Sequence, residues 1–299
     1  MNKKQYTLYL IVYGIISLGL IITNAIFSYF DSWLGIFVVV SVGYFYIRYK
    51  ITAPLQSFAK RFNMMIDYDL DVEGALSLVK KEYENAPTKA IESMFRLYLG
   101  MAYYYNGEYN EAIKTFNQIP LNKVNQVYHI LIFAFTAYSA YELKDQETFD
   151  IALERIENAK DHVGKKYISF AYGYVEVLNA MKNIETNPEH YREIIEKNYS
   201  KDDGYISTKL IYNYRMAQYY EVLNNVEEMD KCLAACIANG KNHHVALQAK
   251  KMFKNTCKVE DYIFKDSTEE ESTNKEDNLV IDQNVDLLEE NNKDIEEEK

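Results

Sequence analysis

The stretch Tyr98-Leu-Gly-Met-Ala-Tyr-Tyr-Tyr-Asn-Gly-Glu-Tyr-Asn-Glu-Ala-Ile-Lys-Thr-Phe116 decides the fold. Apolar and aromatic residues recur at helical spacing on both sides of Asn106-Gly107, a dipeptide suited to reversing the chain. Gly100 is small enough to let a second helix approach the first, and Tyr103 packs one turn later. Tyr109, Ala112 and Phe116 then share one face of the second helix, setting an aromatic, a small residue and an aromatic against the first. The reading is a pair of antiparallel helices.

The same offsets recur elsewhere in the chain. Asn63, Ile66, Val72, Ala75, Val79 and Pro87 give one placement, with Pro87 stopping the second helix. Ala217, Tyr220, Val226, Met229, Leu233 and Cys236 give another. Ala140, Leu143, Phe149, Ala152, Ile156 and Ala159 fit a third, whereas Gly173 to Tyr199 requires a longer turn around Asn187-Pro188. Residues 98–116 resemble a tetratricopeptide repeat throughout their length, and the resemblance extends over roughly residues 55 to 264. The separations from Ala75 to Ala112 and from Ala112 to Ala152 are 37 and 40 residues, longer than the usual 34 of that family. Residues His243 to Phe264 read as a last amphipathic helix, with Val245, Ala249, Met252 and Phe253 capping the final repeat.

Upstream lies a different kind of sequence. Tyr6 to Phe30 contains no charged residue, and as a helix rising about 1.5 Å per residue it exceeds a hydrocarbon core of roughly 30 Å. A second uncharged stretch, Ser32 to Ile47, follows a turn near Ser28 to Trp33 whose only charge is Asp31. Arg48 and Lys50 can snorkel and extend that second span. Lys3 and Lys4 before the first stretch, and Arg48, Lys50, Lys60 and Arg61 after the second, predict a two-span hairpin with both ends cytoplasmic. A cleaved signal peptide is the rival reading, but the apolar run is long and only Thr23-Asn24-Ala25 resembles a cleavage site.

The net charge of −11 is unevenly distributed. Residues 265–299 carry 14 Asp or Glu against 4 Lys, leaving residues 1–264 at −1. After Phe264 the chain has no aromatic residue and too little apolar surface to fold, so a disordered acidic tail is expected. The nearly neutral remainder offers no basic stripe for a phosphate backbone, and nucleic acid is not an expected partner. The organisation read from the sequence is therefore all-α: a two-helix transmembrane anchor over 1–52, a tetratricopeptide-like α-solenoid of helix pairs over 53–264, and an acidic tail over 265–299.

Chemistry finds little support in these residues. Cys232 and Cys236 stand one helical turn apart with His243-His244 nearby, but they occupy positions where the helix pair requires small packed residues, and free cysteine commonly serves as a small buried hydrophobe. No metal and no cofactor are expected. No phosphate loop, metalloprotease motif or nucleophile elbow occurs, and the expectation is that the chain is not an enzyme.

The resemblance implies a binding role. Stacked helix pairs of this family form a superhelix whose first helices line a concave surface, where peptides often bind. The lining residues implied here are Leu97, Met101, Tyr104, Tyr105, Tyr141, Tyr174, Tyr214 and Gln218. Aromatic rings with polar tips suit an amphipathic or extended peptide. The lysine and asparagine clamp that some family members direct at a carboxy-terminal carboxylate is not matched, since only Lys60 is available and Met64, Leu97 and Met101 occupy its neighbourhood. The expected function is a membrane-tethered scaffold or adaptor for a protein or peptide partner. The alternative is a structural or assembly subunit that contacts an integral membrane complex through the hairpin.

Overall fold

The computed structural model describes residues 3–27, 33–199 and 204–264. Most of the turn read at Ser28 to Trp33, and the whole acidic tail, lie outside the described residues. Within them all regular structure is helical.

Helix α1 (Lys3–Phe27) is the only described helix long and apolar enough to cross a membrane, through Lys4–Ile26 with a mean hydropathy of 2.0. Its apolar side chains, Ile11, Ile15 and Leu18 among them, are exposed. The two-span expectation is met only for this first segment, because the second apolar run is confined to Gly35–Ile47. That run is the start of α2 (Trp33–Met64), which continues through Pro54 into the packed part of the molecule. The boundary read between residues 52 and 53 thus falls inside a continuous helix. Tyr13 of α1 donates its hydroxyl to the Val40 carbonyl of α2 at 2.8 Å.

From the end of α2 the chain alternates between long and short helices. A π-helical turn (Met65–Asp69) leads to α3 (Val72–Glu84), then α4 (Lys89–Tyr105), α5 (Tyr109–Asn117), α6 (Gln126–Leu143), α7 (Gln146–Ala159) and α8 (Ile168–Lys182). Next come α9 (Pro188–Asn198), α10 (Ile206–Val222), α11 (Val226–Asn239) and α12 (His244–Met252).

One turn recurs between these helices. Leu70, Gly107, Lys144 and Asn224 each adopt a positive φ of 52°, 78°, 58° and 54°. In each case the N–H of the following residue donates back to a carbonyl of the last turn, five residues earlier from Glu108 to Tyr103, Asp145 to Ala140 and Asn225 to Tyr220 and six earlier, across the π-helical turn, from Asp71 to Met65, at 2.8 to 2.9 Å. This is the left-handed helix stop in which a late N–H satisfies an orphan carbonyl of the last turn. The residue after the stop also starts the next helix: Asp71, Asp145 and Asn225 accept from the N–H groups of Gly74, Thr148 and Glu228. Asn187-Pro188 departs from the pattern, as its sequence anticipates. There Asn187 caps α9 and Pro188 sits in the first turn, where its missing N–H costs nothing.

Helix faces follow the same logic. Ala75, Ala112 and Ala152 are fully or almost fully buried on the short helices, and Phe62, Phe116 and Phe149 fill the adjoining space. Burying side chains of this size contributes about 1.5–3 kcal/mol each. A Cβ on Gly100 would fall 2.7 Å from Phe116 Cδ1, so α4 and α5 pack with no room for a side chain at that position.

Two features were not anticipated. The helix read from His243 to Phe264 ends at Met252. The buried Asp230 carboxylate captures the backbone N–H groups of Lys254 and Thr256 at 2.9 and 2.7 Å, and this pull outweighs helix continuation. Asn239 then binds both the Tyr262 carbonyl and the Phe264 N–H, strapping residues 253–264 along α11.

The second feature is closure of the stack upon itself. Leu70, beside the π-helical turn, is buried in the same cluster as Leu210, Tyr214 and Leu233 of α10 and α11. Ser207 donates to Asp67 at 2.7 Å, Lys241 donates to the Asp69 carbonyl at 2.6 Å, and the rings of Tyr68 and Tyr205 lie 4.9 Å apart. The π-helical turn at the end of α2 therefore packs against α10 and the α11–α12 turn, joining the start of the helix stack to its end.

Candidate functional site

Closure divides the eight residues proposed to line a groove. Leu97, Met101 and Tyr104 are buried in the interior. Tyr104 is enclosed by aromatic rings, with His244 at 4.4 Å, Phe135 at 5.2 Å and Tyr109 at 5.8 Å between centroids. Met101, Tyr105 and Tyr174 border a void of only about 40 Å³ beside Phe62, Asn63 and Asp67. As exposed groove positions, Leu97, Met101 and Tyr104 are corrected by this packing: all three are buried, Tyr104 beneath His244 of α12 and Met101 among residues of α2, α6 and α8.

Tyr141, Tyr214 and Gln218 instead meet at a cavity of about 520 Å³, within the range of small-ligand and peptide side-chain sites. It lies where the carboxyl ends of α6, α8 and α10 converge, with Gln248 of α12 contributing. Behind its wall is a charged pair that the sequence reading did not single out. Arg215 Nη1 lies 3.4 Å from Glu142 Oε1, and the two side chains are 3% and 4% exposed. Tyr214 donates to the second Glu142 oxygen at 2.9 Å. Burial pushes the Glu142 carboxyl above its ordinary range, while Arg215 and Tyr214 pull it back. The guanidinium carbon stands 5.5 to 5.7 Å from the ring centroids of Tyr138, Tyr141 and Tyr214, an aromatic enclosure that favours a cation.

Gln218 is oriented by this pair. Arg215 can only donate, so the Gln218 amide atom 2.9 Å from Nη1 is its oxygen. The same oxygen accepts from the Tyr191 hydroxyl at 3.3 Å. The Gln218 Nε2 group is thereby turned away from Arg215.

A second buried polar cluster adjoins it. Tyr109 Oη lies 3.1 Å from His244 Nδ1 and accepts from Gln248 at 3.1 Å. His243 caps α12 through its ring, accepting from the Val245 N–H. Burial pushes the His243 imidazole down to about 3 and, with His243 and Arg215 adding repulsion, drives His244 well below its usual range. Both rings are neutral at physiological pH.

Among the described residues no group of three or more His, Cys, Asp or Glu is placed to hold a metal. Cys236 is buried and donates to the Leu210 carbonyl at 3.5 Å, and burial pushes the Cys232 thiol up to about 12. These thiols are poor nucleophiles and pack as small apolar groups. No family model, no curated protein and no solved structure matches this chain.

Proposed function

We propose that the chain is a non-enzymatic scaffold or adaptor built from tetratricopeptide-like helix pairs, tethered by an N-terminal hairpin, that holds a protein or peptide partner at the cytoplasmic face of the cell membrane. The observation that carries this reading is the polar cavity bordered by Tyr141, Tyr214 and Gln218, in a domain joined without a break to an apolar, unburied N-terminal region. The recurring left-handed stops at Leu70, Gly107, Lys144 and Asn224 support a repeat origin for the helix pairs. In this reading α1 and the apolar start of α2 are the two spans, with Phe37, Val42 and Phe45 of α2 facing lipid and the basic flanks on the cytoplasmic side. Tethering raises the effective concentration of any membrane-associated partner without added contact area.

Photo-crosslinking from Tyr141 and from Glu221 in intact membranes, read by mass spectrometry, tests the adaptor. One protein captured from both positions and from no position on α1 is expected. Capture only from α1 would favour the second reading, a structural or assembly subunit contacting an integral membrane complex through the hairpin. That reading draws on the exposed apolar side chains of α1. Replacing residues 1–52 with an unrelated two-span anchor separates the two, because an adaptor keeps its partner and an assembly subunit loses it.

A further inference from the structure

We propose that the cavity at the ends of α6, α8 and α10 takes a lysine or arginine side chain of an extended peptide, held by Glu185 and Glu221 at its mouth. This rests on the adaptor reading and specifies the chemistry of its partner.

Two observations point to a cation and a third to a peptide. The carboxyl ends of three helices, α6, α8 and α10, converge on the cavity, each bearing the negative end of a helix dipole, against the amino end of one, α7, whose first turn is already capped by Asp145. The ionisable side chains bordering it are Glu142, Asp145, Glu185 and Glu221 against Lys144 and Lys182. Their commitments differ: Glu142 is neutralised by Arg215, Asp145 caps α7, and the Lys182 ammonium is drawn to Asp150 at 2.7 Å. Glu185 and Glu221 are exposed, and neither makes an ion pair within the described residues. Lys144 is the exposed helix stop of α6, where its own ammonium is free to swing into solvent.

The third observation favours a peptide over a free amine. Gln218 is 9% exposed and borders the cavity, and with its Oε1 engaged by Arg215 and Tyr191 its Nε2 is the amide group left to meet a ligand. A backbone carbonyl is the matching group. An amide donor deep in the cavity and two carboxylates at its mouth together suit a residue whose carbonyl and cationic side chain are separated by an aliphatic stem. Phe149 and Tyr141 supply apolar surface for that stem.

The test uses the full-length chain in nanodiscs, panned against a library of random dodecapeptides, with helical content checked by circular dichroism. Enriched peptides are expected to share one lysine or arginine, whose replacement by norleucine weakens binding about tenfold. Glu185→Gln with Glu221→Gln should weaken the basic peptide by a similar factor and leave the norleucine peptide unchanged. Both carboxylates are exposed, so the double variant keeps its fold. Enriched peptides that bind wild type and double variant equally would overturn this inference and leave peptide capture standing. Free spermidine competing as well as the best peptide would overturn the peptide assignment. A library that yields no binder would overturn this inference and the adaptor reading together.

Discussion

Arg215 and Glu142 form an ion pair between α10 and α6, 73 residues apart in sequence, with both side chains almost wholly removed from water. Such a pair gains little over an apolar replacement, because each charge sacrifices hydration, yet removing one partner leaves the other buried and uncompensated. Arg215→Met should therefore destabilise the fold by about 3–5 kcal/mol, and Arg215→Met with Glu142→Leu by distinctly less. Chemical denaturation of the three proteins measures this. Equal losses in the single and double variants would mean that the pair's role lies in packing alone.

The close approach of α4 and α5 gives a second expectation. At Gly100 even one methyl group would enter the Phe116 ring, so Gly100→Ala should lower stability despite alanine's better helix propensity. Overpacking of this kind costs about 1–3 kcal/mol. Phe116→Leu should recover part of the loss when combined with Gly100→Ala, since it vacates the colliding atoms. Thermal melting checks both, and an unchanged midpoint in Gly100→Ala would show that the two helices can separate at no cost.

What the sequence made legible was local. Asn106-Gly107, the alanines of the short helices and Asn187-Pro188 mark turns and faces within a window of one or two helix turns, and the structure places them accordingly. The closure depends on Ser207 meeting Asp67 and Gln248 meeting Tyr109, pairs about 140 residues apart that no period encodes. Leu97, Met101 and Tyr104 are buried rather than exposed, a distinction the sequence does not carry because an amphipathic first helix looks the same whether its inner face meets a ligand or other helices of the same chain. Arg215 was passed over because an arginine in a tyrosine-rich helix that also carries Lys209 and Glu221 reads as surface. Asp230 likewise gave no sign that it would end α12 from the neighbouring helix.

Lys144 carries a prediction about the recurring stop. A residue with a Cβ held at a φ of 58° pays a steric cost of about 1–2 kcal/mol, which glycine avoids, as Gly107 does at the equivalent turn. Part of that gain is offset by the larger entropy of glycine in the unfolded chain. Lys144→Gly should raise stability by about 0.5–1 kcal/mol. The side chain is exposed, so no packing is lost, and a rise in melting temperature with unchanged circular dichroism is the expected result.

The two neutral histidines predict how stability responds to acid. In the unfolded chain each imidazole takes up a proton near pH 6.5, whereas in the fold His243 resists protonation until about 3 and His244 lies well below its usual range. A depressed folded value means that the unfolded state binds more protons between those limits. Stability is then full above about pH 6.5 and is lost progressively as pH falls toward 3. Each group contributes a slope of about 1.4 kcal/mol per pH unit, so the pair approaches 2.7 kcal/mol per unit in the steep part of that window. The physical cause is burial: His243 Nδ1 accepts from the Val245 N–H, so a second proton on that ring would displace this bond, and the Nε2 atoms of both rings are buried without a hydrogen-bond partner that could stabilise a charged imidazolium. His243→Asn retains a side-chain acceptor for the Val245 N–H at the start of α12 and removes one titrating ring, and it should roughly halve the slope. Urea denaturation between pH 7.5 and 4.5 measures both proteins. A variant whose slope equals that of the wild type would show that His243 is already open to protons in the folded state, and that the seam between α4 and α12 is less closed than its packing implies.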